Sequence, residues 1–129
     1  HAQISTTVLN LEQPVGINFF GVKFDGIVAD VPCTGSGTWS RNPENLIFFK
    51  DVLIAAYSDR QKTIIRNALQ FLKPGGTLVY ITCSVFEAEN EDVVAWVSAL
   101  PGMNCIRTEF INGISNNSDS MYYAEFSKL

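Results

Sequence analysis

Phe24-Asp25-Gly26-Ile27-Val28-Ala29-Asp30-Val31-Pro32-Cys33-Thr34-Gly35-Ser36-Gly37 is the stretch that decides the fold. Phe24 to Asp30 is a near-continuous apolar run, as in a parallel strand buried on both faces. It ends in a carboxylate and then a Pro-Cys turn. A second stretch repeats the pattern: Thr77-Leu78-Val79-Tyr80-Ile81 is an apolar run that leads into Thr82-Cys83-Ser84. Open parallel sheets bind ligands at the carboxyl ends of their strands. The two thiols and the Asp30 carboxylate are therefore expected to share one pocket.

Working outward, Ile4 to Leu11 reads as a short β-branched strand and residues 12–22, with Pro14, Gly16 and Gly21, as a loop. After the Gly/Ser/Thr loop Thr34–Asn42, the stretch Pro43–Tyr57 reads as one or two short helical pieces. Ser58 and Gln61 form a capping-box pattern at the start of a longer helix. Ile64, Ile65, Ala68, Leu69 and Leu72 form its apolar stripe, and Pro74-Gly75-Gly76 its stop. Thr77–Cys83 is the next strand. Ser84 and Glu87 form a second capping box, before a helix that buries Val93, Val94, Trp96, Val97 and Leu100. Strands are expected around Asn104–Phe110 and Met121–Ser127. This order predicts an open α/β sheet with helices on both faces.

The bulk properties narrow the classes. The 129 residues suffice for one domain, and 47% hydrophobic content suits a folded core. No apolar run approaches the roughly 20 residues of a membrane helix, and residues 1–20 lack the pattern of a signal peptide. The net charge is −4, whereas domains that grip phosphates are usually basic. Nucleic-acid affinity would need a local patch or further chain, and numbering from His1 without a Met suits a piece of a longer protein. Three cysteines (Cys33, Cys83, Cys105) without a secretion signal point to the reducing cytoplasm. No Cys or His pair has zinc-ligand spacing, so no metal is expected.

Several ordered motifs resemble the Sun (Nop/Sun) family of RNA cytosine-C5 methyltransferases. Phe24–Gly37 is similar to the segment around that family's first cysteine, and Arg41-Asn42-Pro43-Glu44 to the basic-x-Pro-acid segment after it. Leu72-Lys73-Pro74-Gly75-Gly76-Thr77-Leu78-Val79-Tyr80-Ile81-Thr82-Cys83-Ser84-Val85 resembles the second-cysteine motif, and Glu89-Asn90-Glu91 the acidic stretch that follows. Asp119–Ala124 looks like the closing strand, without the more usual glycine. Asn10-Leu11-Glu12 looks like the Asn-x-Asp ending the third strand, with Glu for Asp.

The resemblance implies a Rossmann-like sheet of the S-adenosylmethionine (SAM)-dependent methyltransferase fold. It runs from about Asn10 to the C-terminus, without the first two strands, their glycine-rich cofactor turn or an N-terminal RNA-binding module, and with a two-strand antiparallel finish. Residues 1–129 are then part of a catalytic domain, inactive alone and weak in SAM binding. The implied activity is methylation of cytosine C5 in rRNA or tRNA. Cys83 is the nucleophile toward C6, Cys33 assists elimination, and Asp30 contacts the base edge. Glu12, Asp30 and Pro32 lie by the cofactor, and Pro32 and Arg41 by the substrate.

Plainer readings stand beside these. Cys105 reads as packing. Cys33 could sit in a structural turn, Asp30 could cap one, and Arg41 could be a solvated charge. Gly35 and Gly37 read as turn formers, since no P-loop lysine follows. A DNA cytosine-C5 methyltransferase would instead use the Pro-Cys thiol, Cys33. A non-enzymatic half-domain would act only in protein association. Without its inner strands the sheet would expose the Phe24–Asp30 edge and invite self-association.

Overall fold

The structure, a computed structural model, describes residues 2–129. Its centre is a four-stranded sheet of β1 (Phe24–Asp30), β2 (Leu72–Thr82), β3 (Met103–Ile111) and β4 (Met121–Lys128), in the spatial order β1-β2-β4-β3. β1 pairs with β2 in parallel, with Ile27 opposite Leu78 and Asp30 opposite Ile81. β2–β4 and β3–β4 are antiparallel. The helices are a single turn, α1 (Asn45–Phe48), then α2 (Val52–Leu69) and α3 (Glu91–Ser98). None is long and apolar enough to cross a membrane.

Strand alternation sets the core. Leu78, Tyr80, Ala124 and Phe126 point to one face and are fully buried. Ile65 of α2 and Val93 and Val97 of α3 close over them. Arg66 of α2 also lies over the Trp96 ring of α3, 5.1 Å from its centroid. Both longer helices thus cover the same face, not opposite faces as the element order suggested. On the other face Val28 is 69% exposed. Farther along that face an Arg107–Glu125 pair joins β3 to β4 at 2.8 Å.

Three local expectations are corrected. Ile4–Leu11 is not a strand: it joins no strand ladder among the described residues, and Ile4 and Val8 are exposed. A strand needs a hydrogen-bonded neighbour, and a cleft separates this segment from β1. Its end is held by α2 side chains, with Asn67 Nδ2 donating to Leu11 O at 2.8 Å and Gln70 Nε2 to Val15 O at 3.1 Å. The second correction is the start of α2, at Val52 and not Ser58. Val52 to Ala56 contains no helix breaker, so Ser58 and Gln61 fall inside the helix and are buried. The third is Ser84, which caps no helix. Its hydroxyl turns to Glu89, and α3 begins only at Glu91.

Pro74-Gly75-Gly76 acts as a bulge within β2, not as a stop before it. Phe24 faces Leu72 and Gly26 faces Thr77, so Lys73 to Gly76 loop out of the ladder. The two C-terminal strands lie where expected.

Beyond the ends of β1 and β2, three loops meet at Gly37. Its N–H donates to Cys83 O at 2.8 Å, and its carbonyl accepts from Ser120 N at 2.9 Å. A Cβ at residue 37 would overlap the Ser120 carbonyl and sit 2.9 Å from Cys83 O. Gly35, at φ +70°, makes the left-handed turn that brings Gly37 there. Gly37→Ala is expected to destabilise the fold by about 1–3 kcal/mol through overpacking, read as a lower midpoint in urea denaturation.

Candidate active site

β1 and β2 are adjacent and parallel, so the loops after them leave the sheet side by side. That places Cys33 Sγ 3.3 Å from Cys83 Sγ, both partly accessible and unbridged. Two thiols at hydrogen-bond distance do not titrate alike. A thiol that donates to its neighbour stabilises the neighbour's thiolate and makes its own proton harder to lose. Either sulfur can donate across this contact, and the shifts run in the direction of Cys33 as donor. The Cys33 hydrogen bond lowers Cys83 to about 7, against burial and the repulsion of Asp30 and Asp119. Cys33 is driven well above the ordinary thiol range, first by that same bond and then by burial.

Beneath the sulfurs lies a buried polar frame. Glu89 is 0% exposed. Its Oε1 accepts from Thr34 N at 2.9 Å and Gln61 Nε2 at 3.0 Å. Its Oε2 accepts from Thr34 Oγ1 at 2.6 Å and Ser84 Oγ at 2.5 Å. Tyr80 Oη donates to the Glu89 carbonyl. Asn90 completes the frame, taking Thr82 Oγ1 at 2.6 Å and giving Nδ2 to Ser84 O at 2.8 Å. The sequence marked Glu89 only as part of an acidic stretch and Gln61 only as a cap. The visible signal was a carboxylate five residues beyond Ser84, and its partners become evident only in three dimensions.

The other sequence candidates fall around this pair. A cleft of about 340 Å³ runs between the N-terminal segment and β1, lined by Asn10, Glu12, Asp30 and Pro32 with Leu9 and Ile64. Asp30 is exposed at the end of β1. Glu12 receives Arg60 at 2.6 Å. The Pro32 carbonyl is engaged by Gln61 Nε2 at 3.0 Å, and the exposed residue borders the cleft. Three side-chain acceptors beside apolar walls suit a ligand rich in N–H and O–H donors, and the volume lies at the small end for a ligand pocket. SAM fits that description in part. Arg41 lies outside the cleft and forms a two-point pair with Asp119, Nε to Oδ1 at 3.1 Å and Nη2 to Oδ2 at 2.6 Å. Trp39 and Phe86, each a few residues past a cysteine, meet around Phe49. The Phe49 and Phe86 rings stack at 5.5 Å, with Trp39 edge-on to both. Cys105 sits on β3, partly buried against the core, away from the pair.

The reciprocity of the two thiols is measurable. The rate of Cys83 alkylation by iodoacetamide is expected to rise with pH through about 7 and level off above it. In Cys33→Ala the inflection moves up toward about 8.5, the ordinary thiol value. An unchanged profile in that variant would refute the hydrogen-bond assignment.

Comparison with known proteins gives the arrangement a context. The family described as 16S rRNA methyltransferase RsmB/F matches residues 4–127. The tRNA (cytosine(72)-C(5))-methyltransferase NSUN6 of Mus musculus is 36% identical over 109 residues, 81% of this chain and 22% of that protein. The ribosomal RNA small subunit methyltransferase F of Shewanella loihica is 37% identical over 92 residues, 71% of this chain and 19% of that protein. The chain thus spans about a fifth of the length of these relatives. Among solved structures, NSun6 from Pyrococcus horikoshii with SFG superposes at a TM-score of 0.80, 23% identity, over 95% of this chain and 34% of its own. A methyltransferase homolog protein from Pyrococcus horikoshii superposes at 0.73, 27% identity, over 88% and 42%. The first of these likenesses concerns the fold alone. A match over nearly the whole chain, on a sheet that sets two cysteine loops side by side, leads to one conclusion: the chain belongs to the 16S rRNA methyltransferase RsmB/F family.

Proposed function

We propose that this chain is the nucleophile-bearing part of an enzyme that methylates C5 of cytosine in RNA, either rRNA or tRNA, with SAM as donor. The observation that carries the reading is the 3.3 Å pair of unlike thiols beside the Asp30 cleft. The likeness to a tRNA (cytosine(72)-C(5))-methyltransferase and to a ribosomal RNA small subunit methyltransferase supports the substrate class. Residues 1–129 act as a partial catalytic domain, inactive by itself.

C5 of cytosine is a weak nucleophile. The Cys83 thiolate forms a bond to C6, and the C5=C6 electron pair shifts toward C5 and the ring's N3/O2 system. SAM, when bound, supplies the electrophilic methyl group that C5 takes up. The C5 proton then passes to a base, the C5=C6 bond re-forms and the Cys83 thiolate leaves. Asp30 is proposed to hydrogen-bond the N3/N4 edge as negative charge builds on the ring. Once the Cys83 sulfur is bonded to carbon, the bond that raises Cys33 is gone. Its proton can then pass to solvent, and the Cys33 thiolate is proposed as the base that takes the C5 proton in the elimination step. Glu12, Asp30 and Pro32 would hold the cofactor. Pro32 and Arg41 would border the RNA, with Arg41 Nη1 free of the Asp119 bond to meet a phosphate. The target base must be unstacked to reach the pair.

The DNA alternative requires Cys33 as nucleophile. The opposite shifts of the two thiols favour Cys83, which the shared hydrogen bond lowers while it raises Cys33. A role in association alone is favoured by one observation: the outer edge of β1 pairs with no strand among the described residues. Such an edge supports self-association of the chain.

In the full-length enzyme, RNA carrying a 5-substituted cytosine analogue should trap wild type covalently. Cys83→Ala should abolish the adduct, while Cys33→Ala should retain it and slow its release. Trapping that survives Cys83→Ala would overturn the nucleophile assignment. For the chain alone, sedimentation should show a concentration-dependent dimer or larger species, and a stable monomer would count against edge pairing.

A further inference from the structure

We infer that Glu89 is a positioning residue, whose buried carboxylate sets the spacing of the two cysteine sulfurs by holding the loop after β1 against the loop after β2. The inference rests on the reading of Cys83 as nucleophile. Its support is geometric. Thr34, next to Cys33, gives Glu89 both its backbone N–H and its hydroxyl. Ser84, next to Cys83, gives its hydroxyl to the same Oε2. Each cysteine is therefore one residue from an anchor on a single carboxylate. Gln61 adds a third tie, bonding Glu89 Oε1 and the Pro32 carbonyl with one amide group.

The frame extends without using Glu89 twice. Ser36 Oγ lies 3.2 Å from Ser84 Oγ and accepts from Val85 N at 2.9 Å. Among the described residues no cation reaches Glu89: its partners are a backbone amide, a side-chain amide and two hydroxyls. Four neutral donors fill the four acceptor sites of a carboxylate. A stability role alone would not require both anchors to flank the reacting sulfurs. Hydrogen bonds to an ionised acceptor are short and about twice as strong as neutral ones, so the pair is held firmly.

Glu89→Gln tests this with little change in volume. An amide offers one acceptor oxygen and one NH₂ donor, so at least two of the four donors must reorient, and the short O–H···O contacts lengthen to about 2.7–2.8 Å or are lost. The loops then relax and the sulfurs part. The groups facing Cys83 are Cys33 after β1, Asp30 at the end of β1, Asp119 before β4 with its partner Arg41, and Tyr80 of β2 by way of the frame. Only the Cys33 hydrogen bond acts to lower Cys83 through another side chain.

The measurement is the pH profile of Cys83 alkylation in a Cys105→Ser background, with thermal unfolding of each variant in parallel. In Glu89→Gln the inflection is expected to rise by about one pH unit, toward the Cys33→Ala profile. Glu89→Asp keeps the charge but is a methylene shorter, and is expected to fall between. A folded Glu89→Gln protein with the wild-type inflection overturns the inference. Should Glu89→Gln fail to fold, Thr34→Val removes one hydroxyl donor at nearly constant shape. An inflection moved upward there supports the inference, and an unmoved one overturns it. Alkylation needs neither RNA nor SAM. Lost trapping chemistry would sink the nucleophile reading, whereas an unchanged pH profile would sink only the role of Glu89.

Discussion

Parallel pairing of β1 with β2 is the constraint on which the rest of the molecule depends. Parallel neighbours end at the same edge of a sheet, so the chain leaves both strands side by side. Fifty residues separate Cys33 from Cys83, and the whole of α2 lies between them. The ladder alone cancels that separation. Everything chemical follows at short range: the sulfur contact, the Gly37 junction and the Glu89 frame.

Proximity then makes two identical side chains unequal. Only one proton can lie between the sulfurs, and sharing it pushes the Cys33 thiol up while it lowers Cys83. The result is one thiol lowered toward neutral pH and a neighbour held above the ordinary thiol range. A buried carboxylate under the pair would be costly if left unmet. Here it is met fully, among the described residues, by groups from both cysteine loops and from α2. The same bonds that solve the burial problem also fix the site.

The half of the molecule around β1 has a different character. β1 is the outermost strand and Val28 is largely exposed, while the N-terminal segment lies across a cleft, fastened to α2 by side chains. Acceptors from that segment and from β1 face each other there, Asn10 and Glu12 against Asp30. At the opposite edge, β3 and β4 carry an Arg107–Glu125 ion pair and a Tyr123–Glu109 hydrogen bond that tolerate water. β1 and β3 are the two edge strands of the sheet, and the cleft lies along β1.

The sequence by itself determined the apolar strand runs that lead into the two cysteines, the two-strand finish and both cysteine turns, because these rest on local periodicity and turn chemistry. It also carried the family resemblance in ordered motifs. It misread Ile4–Leu11, since a β-branched run is a strand only if a neighbour pairs with it. It misread Ser58–Gln61 and Ser84–Glu87 as helix caps, since spacing does not tell whether a hydroxyl meets its own backbone or a distant carboxylate. Only the tertiary structure decided that Glu89 and Gln61 belong beneath the cysteines, that both longer helices share one face, and that the two sulfurs touch. Those are contacts between segments far apart in the chain, and they exist only once strand pairing has brought the segments together.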